Sequence, residues 1–108
     1  MDITIQSPGF KASETLENYV KEKLNKLNEH DSKIISADVT LYLGPQSEHD
    51  NNYCEIKLEV PGNTHFVKKS SPSFEHSVII AVEALQKMVD KDKDKDINRR
   101  RSESTLPE

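Results

Sequence analysis

Polar and hydrophobic residues alternate with a period of two in three segments of the chain, and a fourth segment follows a tight-turn signal at residues 61–63; each of the four is predicted to be a β-strand. The segments lie at residues 2–6, 34–43, 53–60 and 64–69. The third alternates most regularly, with every second residue apolar from Cys54 onward. Each strand is therefore expected to bury one face and to present the other face to solvent.

Two further segments place their apolar residues on one helical face. The first, at about residues 14–28, follows Ser13, a residue type that caps helix N-termini. The second follows Ser73, and its apolar side chains recur at helical spacing as far as Val89. Both segments are predicted to be amphipathic helices that cover the hydrophobic face of a sheet.

The order of the predicted elements is β-α-β-β-β-α, which defines a fold class. The helix between the first two strands predicts a right-handed crossover, so these strands are expected to pair in parallel. The later strands are expected to pair in antiparallel fashion, joined by a long hairpin loop at residues 44–52 and by a tight turn at residues 61–63. The fold class is therefore α+β: a single βαβββα domain with a four-stranded mixed sheet and two helices packed on one face, as in double-stranded-RNA-binding domains.

The length of 108 residues fits one domain with one core. We assign that domain to residues 1–96 and a charged, disordered tail to residues 97–108. Aspartate and lysine alternate over residues 90–96, so favourable i,i+3 pairs and unfavourable i,i+4 pairs in a helix roughly cancel. The second helix is expected to continue beyond Val89 for a turn or two and then to fray, with residues 102–108 disordered.

Composition and charge limit the classes of function. Hydrophobic residues make up 33% of the chain, and no apolar run approaches the roughly 20 residues needed to cross a membrane. The N-terminal segment has no secretion-signal pattern, and the single cysteine, Cys54, leaves no internal disulfide, so a cytoplasmic protein is expected.

The net charge of −4 argues against general affinity for nucleic acid. A local basic stripe, sensed within a Debye length of about 10 Å, is compatible with that net charge.

Candidate catalytic and metal-binding chemistry is weak throughout the chain. Four carboxylates match the spacing of EF-hand ligands: Asp92, Asp94, Asp96 and Glu103. Ile97 occupies the position that requires glycine in such a loop, so a solvated helix end is the better interpretation. The histidines lack metal-ligand spacing, and the cysteine is interpreted as a small buried hydrophobe. We therefore expect no cofactor, no metal and no small-molecule substrate, and the chain is not predicted to be an enzyme.

Three segments carry a resemblance to one known family. Residues 13–27 match its first helix, in which an aromatic-Val pair, here Tyr19-Val20, is followed by Lys-apolar-x-Lys-Leu. Residues 64–69 resemble its last strand, and residues 74–95 resemble its second helix with a lysine-rich end. On these residues the chain resembles the short form of the ribosome hibernation-promoting factor and ribosome-associated inhibitor family, also called sigma-54 modulation proteins.

The resemblance implies a translation inhibitor that binds the small ribosomal subunit in the channel for messenger and transfer RNA, under stress or in stationary phase. It implies contacts to ribosomal RNA phosphates from lysines of both helices: Lys23, Lys26, Lys87, Lys91, Lys93 and Lys95. Two lysines of the last strand, Lys68 and Lys69, rank second. Lysine supplies a point charge to phosphate and reads little base sequence, which fits such a role.

The chain departs from the family pattern at four positions: Ile79, Ile80, Gln86 and Asp92. Acidic or polar residues are usual at the first two, a basic residue at the third, and an aromatic residue or histidine at the fourth. These departures predict weaker phosphate binding. The apolar pair Ile79-Ile80 also suggests a weak homodimer contact as a hypothesis.

Two other functions are compatible with the same element order. A different RNA-binding module would bind a plain RNA duplex without preferring ribosomes, although the N-terminal strand and the crossover count against it. A protein-interaction module without an RNA partner would explain the acidic net charge, and its partner would stay bound at high salt.

Overall fold

The computed structural model describes residues 1–31 and 33–105, with side chains described as far as Asp92. Six elements follow one another along the chain: β1 (Asp2–Gln6), α1 (Glu14–His30), β2 (Ser36–Leu43), β3 (Asn52–Val60), β4 (Asn63–Ser71) and α2 (Phe74–Thr105). This order is the predicted βαβββα arrangement. In the described part of the chain, no helix has both the length and the apolar character that crossing a bilayer requires.

The four strands form one mixed sheet in the order β1-β2-β3-β4. β1 pairs with β2 in parallel, because α1 carries the chain back across the sheet between them. The other two pairs are antiparallel. Gly62 has a φ of +78°, which only glycine adopts readily, and so allows the tight turn between β3 and β4. The predicted topology is confirmed.

One hydrophobic core lies between the helices and one face of the sheet. Its fully buried members come from both helices and the inner strands, and include Val20, Leu24, Val39, Leu41, Ile56, Leu58, Val78, Leu85 and Val89. The two helices therefore share one face of the sheet, as predicted. Cys54 belongs to this core, and burial raises the pKa of its thiol to about 12, with a smaller contribution from the Glu55 charge. The thiol is neutral at physiological pH, which agrees with its interpretation as a small hydrophobe.

The predicted helix starts are confirmed by the capping contacts. The hydroxyl of Ser13 accepts a hydrogen bond from the backbone N–H of Leu16 at 3.1 Å. The hydroxyl of Ser73 accepts one from the backbone N–H of His76 at 3.2 Å. Each contact satisfies a helix N–H that has no partner within the helix.

The last strand is longer than predicted, because β4 runs to Ser71 rather than ending at residue 69. The Ser71 and Ser77 hydroxyl oxygens lie 2.8 Å apart, and Ser77 donates to the backbone carbonyl of Asn52 at 2.6 Å. Both hydroxyls are buried, and their hydrogen bonds to each other and to β3 hold the end of β4 in the sheet. Alternation of hydrophobic residues cannot show such a contact, since serine is polar.

The second helix also differs in length from its prediction. Its backbone is helical to Thr105, well beyond the one or two turns expected after Val89. The division into a domain at residues 1–96 and a disordered tail at residues 97–108 stays a prediction. Residues 106–108, at the end of that predicted tail, lie outside the described residues.

Candidate nucleic-acid interface

The two helices lie side by side and form a groove on the side of the domain away from the sheet. The groove contains a cavity of about 230 Å³. Its lining comes from both helices: Lys23, Lys26, Leu27, Ile79, Val82, Glu83 and Gln86. Two predicted phosphate-binding lysines of α1 therefore face α2 across this cavity.

The ammonium groups of these two lysines differ in their contacts. Lys23 is half-buried, and its Nζ lies 5.3 Å from the centroid of the Tyr19 ring, within cation–π range. Lys26 is exposed, and its Nζ lies 3.8 Å from Oε1 of Glu22 on the same helix. An exposed pair of this kind contributes little stability, so Lys26 can exchange the carboxylate for another anion at small cost.

A second cavity, of about 200 Å³, adjoins the first along α2. It is lined by Glu83, Gln86, Lys87 and Asp90, and the first two of these residues also line the larger cavity. The shared lining places Lys87 next to the lysines of α1. Lys91 is exposed one helical turn after Lys87, on the same side of α2. We call this surface, from Lys23 and Lys26 to Lys87 and Lys91, the helix groove.

Carboxylates are interspersed among the lysines of the helix groove. Glu83 lines both cavities, and Asp90 lines the second. Gln86 stands in the wall between them, at a position where the family resemblance leads one to expect a basic residue. The groove therefore combines positive and negative side chains, and its lysines must act locally on a bound anion.

Two histidine–aspartate pairs fix α2 against its neighbours. Nε2 of His30, at the end of α1, lies 2.5 Å from Oδ1 of Asp90. Nε2 of His65, on β4, lies 2.6 Å from Oδ2 of Asp92. The alternating charges at this point of the helix thus have a structural use, because both aspartates are half-buried against the domain while Lys91 between them is exposed.

Sequence reasoning missed both pairs and treated the alternating stretch as a solvated helix end. The partners are 60 and 27 residues apart along the chain. Their proximity depends on how α2 packs against α1 and β4, and no local pattern carries that information. The scattered histidines were the available signal, but each could be matched to any of the many carboxylates.

Lys68 and Lys69 lie outside the helix groove. Lys68 lies on the other face of the sheet, with its Nζ 5.2 Å from the centroid of the Tyr53 ring. Lys69 is half-buried on the helix side of β4, opposite the buried Cys54 of β3. The side chains of Lys93 and Lys95 lie outside those the structure describes. The structure therefore groups four of the eight lysines and separates Lys68 from them.

The EF-hand-like spacing can be compared with the structure only at its first position, Asp92, which is paired with His65. The other three carboxylates lie beyond the described side chains. Among the described residues, no three or more histidine, cysteine or carboxylate side chains gather as a metal site would require.

Comparison with known proteins assigns the chain to a family. Residues 3–97 match the family described as Sigma 54 modulation protein / S30EA ribosomal protein. The match covers all six elements apart from the first residue of β1 and the end of α2, so the chain belongs to this family of ribosome-associated proteins. No curated protein matches the sequence significantly.

Solved structures agree with this assignment at the level of the fold. A ribosomal subunit interface protein from Coxiella burnetii superposes with a TM-score of 0.77 at 17% identity, covering 86% of this chain and 98% of that one. The N-terminal domain of Thermus thermophilus Protein Y superposes with a TM-score of 0.73 at 22% identity, covering 84% of this chain and 98% of that one. At these identities the likeness establishes the shared fold.

Proposed function

We propose that this protein binds the small ribosomal subunit in the channel for messenger and transfer RNA and holds the ribosome inactive under stress or in stationary phase. Family membership supplies the ribosome as partner. The observation that carries the choice of surface is the helix groove, in which Lys23, Lys26 and Lys87 from two separate helices line adjoining cavities.

The chemistry of the groove suits phosphate rather than base edges. Lysine ammonium groups neutralise phosphates and release condensed counterions, which gives affinity without much sequence reading. The net charge of −4 does not prevent this, because charges more than about 10 Å away are screened at physiological salt. The proposed action blocks the channel and makes or breaks no bond, and it takes place in the cytoplasm, where translating ribosomes are found.

The test is co-sedimentation of the protein with purified small ribosomal subunits over a range of salt concentrations. The variant is Lys87→Glu/Lys91→Glu, which reverses two charges of the helix groove. We expect binding that weakens with salt, and a variant whose logarithmic salt dependence is flatter by about two because two phosphate contacts are lost.

A matched control reverses two exposed lysines outside the groove, Lys11→Glu/Lys57→Glu, and changes the net charge by the same amount. The control should keep the salt dependence of the parent protein. An equal loss of ribosome binding in both variants would show that overall charge determines the binding and that the helix groove has no special role. Absence of binding at every salt concentration would contradict the ribosome as partner and favour the protein-interaction function.

The homodimer hypothesis is a separate proposal that rests on Ile79 and Ile80. Both side chains are half-buried, and Ile79 lines the helix groove. If these side chains form a contact between two copies, the dimer would cover part of the groove and compete with RNA. Light scattering at high protein concentration should then show a dimer that Ile80→Asn abolishes, whereas a monomer at all concentrations would contradict the hypothesis.

A further inference from the structure

The face of the sheet opposite the helices carries a surface that the proposed ribosomal RNA contact does not use. Side chains that alternate with the buried ones point outward here from all four strands. We call this surface the open sheet face. It lies on the other side of the domain from the helix groove. The pairing of β2, β3 and β4 brings Tyr42, Tyr53, Glu55 and Lys68 together near one end of this face.

Aromatic rings form a rigid platform on the open sheet face. Tyr42 and Tyr53 are cross-strand partners whose ring planes differ by 2°, with ring centroids 5.0 Å apart. The ring of Tyr53 also lies close to Gly44, where an added methyl group would clash with ring carbon Cε2. Phe66, on the edge strand β4, is 56% exposed. Phe66 lies opposite Lys57, four residues along β3 from Tyr53, so the stacked tyrosines alone form the planar surface suited to another planar group.

Two carboxylates, Glu48 and Glu55, lie beside the stacked rings. The Tyr53 hydroxyl donates a hydrogen bond to Oε2 of Glu48 at 2.8 Å, and this contact raises the pKa of Tyr53. Burial and the neighbouring Glu55 carboxylate raise the pKa of Tyr42. The pKa of Lys68 is raised by its contact with Tyr42 and by the charge of Glu55. Glu48 and Glu55 thus act on these groups as negative charges, and Lys68 opposes them at both tyrosines.

The charges further along the face have the same balance. Outward positions of the strands carry more acidic side chains than lysines: Asp2, Asp38, Glu55 and Glu59 against Lys57 and Lys68. This is the opposite of what a phosphate backbone requires, because each carboxylate repels it. The face therefore selects for a cationic partner.

We propose that the open sheet face docks an extended, arginine-containing segment of another protein. Guanidinium groups stack on aromatic rings and pair with carboxylates in one geometry, so they match tyrosines flanked by Glu48 and Glu55. Asp38 lies further along β2 on the same face, where a second basic residue of an extended segment can reach it. Lysine ammonium groups satisfy the charge but not the stacking. This inference concerns a different surface from the helix groove and stands whether or not the groove binds ribosomal RNA.

The test uses a fluorescein-labelled peptide of Arg-Gly-Gly repeats and measures its binding to the full chain by fluorescence anisotropy. The variant Asp38→Asn/Glu48→Gln/Glu55→Gln removes three charges of the face with little change in side-chain size. We expect about tenfold weaker binding, from the combined loss of three exposed charge pairs. The same peptide with lysine in place of arginine should bind the parent protein several-fold more weakly.

The control variant Glu14→Gln/Glu22→Gln/Glu29→Gln removes three exposed charges of α1 and should bind the arginine peptide within about twofold of the parent. Thermal melting of both variants confirms that each is folded. Equal weakening in the control would overturn the proposal in favour of overall charge.

Two other outcomes also contradict the proposal. Absence of peptide binding at low salt would exclude a basic partner. In the second outcome, single-stranded oligouridine binds the parent protein and binds the Asp38→Asn/Glu48→Gln/Glu55→Gln variant more tightly. This result would show that the open sheet face binds RNA instead. Tighter RNA binding in the variant is expected in that case because three repulsive carboxylates are gone.

Discussion

The helix groove and the open sheet face are two sides of one thin domain, and their chemistry differs because their backbones differ. On the helices, side chains three or four residues apart share a face, so Lys23 and Lys26, and likewise Lys87 and Lys91, form short rows. On the sheet, each row of neighbours comes from different strands, as in Tyr42 beside Tyr53. The groove gathers flexible ammonium groups around cavities, whereas the sheet presents fixed rings.

The difference has a functional meaning. Flexible lysines tolerate an irregular phosphate backbone, because each ammonium group finds its own anion. Stacked rings held by cross-strand pairing suit one planar group in one orientation. A domain with both surfaces can contact RNA on one side and protein on the other, and each surface can be altered without touching the other.

The largest expected effect comes from the core that the two surfaces share. Leu24 is fully buried, so Leu24→Ala should lower the free energy of unfolding by about 2–5 kcal/mol. Leu43→Ala removes the same atoms from a side chain that is 55% exposed, and its effect should stay within about 0.5 kcal/mol. Urea denaturation measures both. If Leu24→Ala impaired one binding surface while leaving the unfolding transition unchanged, the two surfaces would not depend on one core.

The next largest effect is expected from a substitution that changes the helix groove alone. Gln86→Lys places a positive charge in the wall between the two cavities, so affinity for small ribosomal subunits should rise several-fold and the logarithmic salt dependence should steepen by about one. Gln46→Lys adds the same charge in the exposed connection between β2 and β3 and should leave the salt dependence unchanged. A gain of equal size in both variants would show that position within the groove does not matter.

A smaller effect concerns how α2 is fixed in place. Asp92→Asn replaces the carboxylate next to His65 and should lower the free energy of unfolding by about 1 kcal/mol or less, since the pair is partly exposed. Amide exchange in the turns of α2 around residue 92 should accelerate, because the helix loses a contact to β4. Asp50→Asn, in the exposed connection before β3, is the control. Unchanged exchange in α2 would show that the pair contributes nothing to its position.

The smallest effect is confined to the open sheet face. The Glu48 carboxylate accepts the Tyr53 hydroxyl proton in a hydrogen bond and favours the neutral phenol, which raises the pKa of Tyr53. Glu48→Gln should therefore lower this pKa, so that the phenolate forms at lower pH. NMR of a chain with ¹³C-labelled tyrosine follows each ring separately. A pKa of Tyr53 that stays the same in Glu48→Gln, or falls equally in Glu29→Gln, would contradict the contact.

Much of the fold could be predicted from the sequence, because its elements obey local rules. Strict alternation located β3 to within one residue, and the side chains of Ser13 and Ser73 located both helix starts. The end of β4 was wrong because Ser71 is held by hydroxyl contacts to Ser77 rather than by apolar alternation. Local rules describe a residue and its near neighbours, and such contacts join residues through the fold.

The candidate site was predicted only in part for the same reason. The family resemblance indicated lysines on both helices, and the structure brings Lys23, Lys26 and Lys87 to adjoining cavities. The family resemblance could not show that Lys68 lies on the other face of the sheet, next to Tyr53. The sequence of β4 does not decide which face Lys68 takes, because the adjacent apolar residues Phe66 and Val67 point to opposite faces.

The parallel pairing of β1 with β2 has a consequence for motion. β2, β3 and β4 are joined by hairpins, so their pairing closes short loops, whereas β1 can pair only after α1 has folded back across the sheet. β1 is also the shorter edge strand, and Ile3 and Ile5 are only half-buried. We expect β1 to join last during folding and to detach first in the native state, so its amides should exchange with solvent at a lower opening free energy than those of β3. The edge of the sheet at β1 would then open transiently while the central strands stay paired.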